Sequence, residues 1–195
     1  MDLGLPSGIL WATMNVGASK PSESGQYFQW GDTSGYTAAQ VGTGEGKKKF
    51  ASDFSDYKFA EDGYMTKYEY PSAVLELEDD AAHVNMGGDW HMPTYEQLYE
   101  LKKNTTSAWT TSNDNVSGIV YTSKKDSSKS IFIPASGYAS EGTVNNIGSK
   151  CCVWSSSLTE QLEGYNIALS INSTSSTDDA WSSRDLGLPV RGVIG

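Results

Sequence analysis

The stretch MPTYEQLYELKKN, residues 92–104, is where this chain reads most plainly as a helix, and it decides the fold class. Thr94 followed three residues later by Gln97 has the form of a capping box, in which each side chain satisfies the other residue's backbone N–H. Pro93 stops the chain ahead of it, and Leu98 and Leu101 share a face with Tyr95, so the spacing predicts about three helical turns. A second, shorter helix is predicted in LELEDDAAHVN, residues 75–85. It is acidic at its start and followed by Gly87-Gly88, which suits the helix dipole and a glycine C-cap.

Strand signals dominate on either side. GILWAT (8–13), QYFQWG (26–31), GIVYT (118–122), SIFIP (130–134), CCVWSSS (151–157) and PVRGVI (189–194) are short, aromatic or β-branched, and bounded by turn residues. In YNIALSI (165–171), Tyr165, Ile167, Leu169 and Ile171 alternate with Asn166, Ala168 and Ser170, the pattern of a strand with one face on a core and one in water. Two helices among many short strands make the chain α+β and loop-rich. Residues 38–62, rich in Gly, Lys, Ser and Asp, are too long for a turn and too polar for an element, and read as an inserted surface loop.

The pentapeptide DLGLP occurs twice, at 2–6 and at 185–189. The residues after each copy, SGILWATMNVG and VRGVIG, share no further pattern, which excludes a duplicated domain. Two terminal segments lying together, or coincidence, remain. At 195 residues the chain is expected to be one domain, 1–195, large enough to bury a core without staples.

Net charge is -10 and the only arginines are Arg184 and Arg191, so there is no cationic face for phosphates and nucleic acid is not an expected partner. No apolar run reaches membrane-spanning length, so no membrane insertion is expected, and residues 1–20 lack the basic and apolar regions of a signal peptide. The neighbours Cys151 and Cys152 are the only cysteines and cannot cross-link distant segments; they read as free thiols, one pointing inward and one outward from a strand.

Taken in order, DLGLPSGILWATMNVGASKP, YFQWGDT, LEDDAAHVNMGGDWHMPTYEQLYEL, IFIPASGY, VWSSSL and LPVRGVI resemble the bacterial major paralogous domain first noted in Fibrobacter. That family is related to the formylglycine-generating sulfatase-modifying proteins and to retroelement-diversified variable lectins. The resemblance implies a C-type-lectin-like fold of short twisted antiparallel strands with its terminal strands side by side. Both DLGLP copies would then flank that strand pair. The stretch HMPTYEQLYEL is similar to the family's R-[LM]-P-T-x-x-E-[WF], with His91 where arginine is usual.

The relatives that oxidise cysteine use a separated cysteine pair served by copper, and the adjacent Cys151 and Cys152 do not match that pattern. His83 and His91 flank Asp89, yet their eight-residue gap crosses two glycines and fits neither an i, i+4 helical pair nor a loop-ligand signature. His83 then closes the short helix, His91 stands in for a structural arginine, and Glu78, Asp79 and Asp80 form a helix N-terminal turn. Calcium-dependent lectins hold sugar through Glu-Pro-Asn or Gln-Pro-Asp and Trp-Asn-Asp triplets, none of which occurs; the corresponding Trp154 is followed by three serines. No metal, cofactor or catalytic residue is expected.

The segment 165–185, YNIALSINSTSSTDDAWSSRD, has the composition of an adaptable recognition surface: small polar groups around one rigid aromatic. In retroelement-diversified lectin-fold relatives the ligand-contact residues lie in this part of the chain. The expected contacts are Asn166, Asn172, Asp178, Asp179, Trp181, Ser183, Arg184 and Asp185, with Trp181 partly exposed and Trp154 in the core. The expected function is a non-enzymatic module that recognises a protein or carbohydrate ligand as part of a larger exported, surface-displayed protein. A structural or adhesin-tip scaffold is the alternative, and a degenerate formylglycine-generating-enzyme-like protein the third reading.

Overall fold

A computed structural model describes residues 1–68, 74–112, 114–158, 165–172 and 178–195, with backbone alone for 165–172 and 178–181. In chain order the strands are β1 (Leu10–Trp11), β2 (Tyr27–Phe28), β3 (Ala60–Glu61) and β4 (Tyr64–Met65). Two helices follow, α1 (Ala81–Met86) and α2 (Tyr95–Asn104). Then come β5 (Thr105–Thr111), β6 (Ser117–Ser123), β7 (Ser130–Pro134), β8 (Tyr138–Ser140) and β9 (Thr143–Asn145). The chain closes with β10 (Lys150–Leu158), β11 (Tyr165–Asn172), β12 (Asp178–Ser183), β13 (Leu188–Pro189) and β14 (Val193–Ile194). All strand pairs are antiparallel: β1 with β14, β2 with β13, β3 with β4, β8 with β9, and the meanders β5-β6-β7 and β10-β11-β12. The fold is α+β.

Helix α2 forms where its capping box predicts. The Thr94 hydroxyl accepts from the Gln97 N–H at 3.3 Å, and the Gln97 side chain accepts from the Thr94 N–H at 2.9 Å. At its other end the Thr105 hydroxyl donates to the Leu101 carbonyl at 2.7 Å, satisfying an orphan acceptor as the chain passes directly into β5. Leu98 and Leu101 are buried as expected, while Tyr95 is only half-buried. The acidic helix is shorter than read: Leu77–Asp79 form a 3-10 turn, and α1 begins after Asp80, whose carboxylate accepts from the His83 N–H at 2.9 Å. Gly87 caps α1 with φ 74°, a left-handed conformation that glycine tolerates.

Strand β10 is the wall between two cores. Cys151 and Val153 pack with Leu98, Leu101, Ile119, Ile131 and Trp11 on one side, while Cys152, Trp154 and Leu158 pack with Phe28, Trp30, Met92 and Leu188 on the other. The expectation of one inward and one outward cysteine is therefore corrected. Both thiols are buried, because each face of this strand meets a core of its own, and burial pushes Cys151 up to about 12. Reciprocal indole bonds lock the second core: Trp30 Nε1 donates to the Ser155 carbonyl at 2.9 Å and Trp154 Nε1 to the Phe28 carbonyl at 2.7 Å.

The ends of the chain lie side by side, with Leu10 opposite Ile194 and Trp11 opposite Val193. Arg191 is fully buried beneath this pair. Its guanidinium donates to Asn15 Oδ1 at 2.9 Å, the Ala12 carbonyl at 3.1 Å and the Phe132 carbonyl at 3.0 Å, and burial pushes its pKa down to about 9. The two DLGLP copies are not equivalent. Leu3 and Leu5, on either side of a left-handed Gly4, enter the first core, whereas Leu188 enters the second core and pairs with Phe28 through β13.

Residues 38–62, expected as a surface loop, lie mostly at the surface but also send side chains inward. Phe50, Ala51, Tyr57 and Phe59 are buried, and the Asp56 carboxylate accepts from the Phe50 and Ala51 N–H groups, both at 2.9 Å. Glu141 in the β8–β9 turn accepts from the Ser52 N–H at 2.7 Å and pairs with Lys49 at 2.8 Å. The polar composition is the outer half of a segment whose aromatics supply part of the interior.

Candidate functional site

The candidate recognition segment lies on β11 and β12 of the meander β10-β11-β12, in which β11 is the middle strand. Backbone register sets Asn166 opposite Leu158 and Ser182, Asn172 opposite Lys150, Asp178 opposite Ser170, Asp179 opposite Leu169 and Trp181 opposite Ile167. A register irregularity between Trp154 and Leu158 re-aims the upper part of β10. The side chains of Asn166, Asn172, Asp178, Asp179 and Trp181, including the expected exposure of Trp181, lie outside the described residues.

The last three expected contacts are described, and two of them correct the outward orientation expected. Ser183 is half-buried and donates to Asp185 Oδ1, but Arg184 and Asp185 are each only 2% exposed. The reason is topological. Beyond β12 the chain turns inward to bring Leu188 and Pro189 against β2, and Gly187 exchanges backbone hydrogen bonds with Ala139 at 2.9 and 2.7 Å. The Arg184 guanidinium lies 5.3 Å from the Trp30 ring centroid, and its Nε and Nη1 have no hydrogen-bond partner among the described residues. Burial lowers the Arg184 pKa, with the nearby Tyr57 acting the other way. Burial likewise raises the Asp185 carboxyl, against the hydrogen bond from Ser183. Arg184's neighbour Trp30 could not be found by spacing, since it lies far away in sequence.

Trp154 is in the core, as expected. The three serines after it are buried and serve the scaffold: Ser157 Oγ accepts from the Tyr95 N–H at 2.9 Å, satisfying a donor at the start of α2, and the Ser156 N–H donates to the Pro93 carbonyl at 2.8 Å.

The acidic residues before α1 have their own cation. Lys67 Nζ lies 2.5 Å from Glu76, 3.4 Å from Glu78 and 2.6 Å from Asp79, and Lys58 Nζ lies 2.6 Å from Asp79. Burial alone would raise Asp79, but the hydrogen bonds from Lys58, Lys67 and Tyr68 overcome it and hold the carboxyl below its ordinary value. Asp80 plays a different part, capping α1 and accepting from the Met92 N–H at 2.8 Å, which ties residues 87–92 back onto the helix. His83 sits inside α1 with Nδ1 3.1 Å from the Trp90 carbonyl oxygen, and His91 Nδ1 lies 2.9 Å from that of Met92.

Two cavities lie away from the candidate segment. One of about 370 Å³ is lined by residues including Trp11, Val16, Met86 and Trp90, and one of about 430 Å³ by Leu77, His83, Gly88, Asp89, His91, Ile194 and Gly195. Among the described residues no helix is long and apolar enough to cross a membrane. Comparison with protein-family models, with curated proteins and with solved structures gives no match to this chain.

Proposed function

We propose that the chain is a non-enzymatic, C-type-lectin-like recognition module that takes a protein or carbohydrate ligand and works within a larger exported, surface-displayed protein. The observation that carries the reading is the order β10-β11-β12. Residues 165–172 and 178–183, rich in Asn, Ser and Asp around Trp181, form β11 and β12 of a sheet whose third strand, β10, is packed between two cores. Recognition segments work best on such rigid supports. The paired chain ends, two helices and short antiparallel strands suit the lectin-like resemblance. The contacts are proposed at Asn166, Asn172, Asp178, Asp179, Trp181 and Ser183, while the buried Arg184 and Asp185 are not among them. Screening the full chain on glycan and protein arrays tests this: binding weakened by Trp181→Ala supports it, and no binding on either array turns the reading toward a scaffold.

The third reading, an oxidase relative, is disfavoured by the thiols. Both are buried, and a thiol raised to about 12 is not a nucleophile at neutral pH. Incubating a cysteine-containing peptide with the protein and copper, followed by mass spectrometry, tests this directly; conversion of the cysteine would reinstate the enzyme.

A further inference from the structure

We propose that the cavity shared by His83 and His91 is a binding site for a divalent transition-metal ion of the zinc and nickel class. The proposal shares no residue with segment 165–185 and does not rest on the recognition reading. Each imidazole has its Nδ1 against a backbone carbonyl, Trp90 at 3.1 Å for His83 and Met92 at 2.9 Å for His91. A carbonyl oxygen can only accept, so in the neutral form of each ring Nδ1 carries the proton and Nε2 keeps its lone pair. Two rings whose tautomers are fixed by backbone carbonyls have the outer-shell arrangement typical of metal-ligating histidines.

His83 and His91 are both among the residues that line one open cavity of about 430 Å³, together with Asp89. Their backbones are anchored. His83 lies in α1, and His91 exchanges hydrogen bonds with Val193 at 3.0 and 2.8 Å, while left-handed Gly87 and Gly88 fold the chain back between them. Among the described residues no lysine or arginine lines the cavity, in a chain of net charge -10, so a cation meets no competitor from them there. The acidic cluster Glu76, Glu78 and Asp79 differs in this respect, because Lys67 already sits among its carboxylates.

Two imidazole nitrogens favour a borderline-soft ion over calcium or magnesium, and a carboxylate with water completes a four-coordinate shell. Asp89 is the exposed candidate for that carboxylate. Among the described residues, donors of three such side chains lie within 4.8 Å of one another only at Glu76, Glu78 and Asp79. Ion entry therefore recruits Asp89 by side-chain rotation or leaves the position to water.

The test uses the full chain, stripped of metal and titrated with zinc chloride and with nickel chloride by calorimetry. One ion per chain is expected. His83→Gln, which keeps a donor for the Trp90 carbonyl, and His91→Ala should each weaken binding at least about tenfold. Glu78→Gln should leave it unchanged. Because the chain has only two histidines, nitrogen-15 spectra resolve both rings, and both Nε2 signals should shift on adding zinc. The spectra also decide the matter if a variant folds poorly. No binding by the unaltered chain, binding that survives both histidine substitutions, loss on Glu78→Gln, or Nε2 signals that do not both respond would each overturn the proposal.

Discussion

Trp154 and Trp30 show how single residues hold this fold: each indole is fully buried and each N–H reaches a carbonyl on the other's segment. Trp154→Ala removes both the filled volume and the hydrogen bond, and should cost about 3–5 kcal/mol, read by denaturant unfolding. A loss below about 1 kcal/mol would show that this core is loosely packed. The cysteines carry a related prediction. Since both are buried, Cys151→Ser and Cys152→Ser should each destabilise by about 1–3 kcal/mol through a buried hydroxyl, without loss of ligand binding. Trp154 was legible as core from the apolar run around it. The placement of both cysteines was not, because alternation assigns one face to solvent and cannot reveal a second core assembled from residues far away in sequence. Arg184 and Asp185 were missed for the same reason: their composition is that of a surface, and the inward turn after β12 is set by pairing with β2.

Helix α2 was legible almost entirely, because a capping box is a local device whose residues and bonds lie within four positions. Thr94→Ala should cost about 1 kcal/mol in the same unfolding measurement, as loss of an N-cap usually does. The buried aromatics of segment 38–62, Phe50, Tyr57 and Phe59, were not legible as interior, since no single helical or strand period runs through all three and their burial depends on anchors elsewhere. One anchor is Glu141. Its ion pair with Lys49 and hydrogen bonds from the Ser52 N–H and hydroxyl hold its carboxyl down to about 2, against an ordinary value of 4.5. A carboxyl lowered on folding contributes stability above its unfolded value and loses it as pH falls through the folded value. The melting-temperature gap between the unaltered chain and Glu141→Gln should therefore be widest above pH 4.5 and close as pH falls toward about 2. A gap that stays constant across that range would remove the anchor.

At the scale of the molecule, hairpins and meanders of neighbouring strands are joined by two long-range pairs, β1–β14 and β2–β13, and β10 contributes to both cores. The side-by-side placement of the chain ends, expected from the lectin-like resemblance, is present in the β1–β14 pair, while the DLGLP repeat proved to serve two different cores. The segment on β11 and β12 is the proposed binding face. The most direct measurement is the affinity and melting temperature of the unaltered chain, Trp181→Ala and Trp154→Ala against a ligand taken from the glycan and protein arrays. The account predicts that Trp181→Ala weakens binding about 30-fold, equivalent to about 2 kcal/mol, with a melting temperature close to that of the unaltered chain, whereas Trp154→Ala is strongly destabilised. A Trp181→Ala variant that binds undiminished, or that loses as much stability as Trp154→Ala, would contradict it.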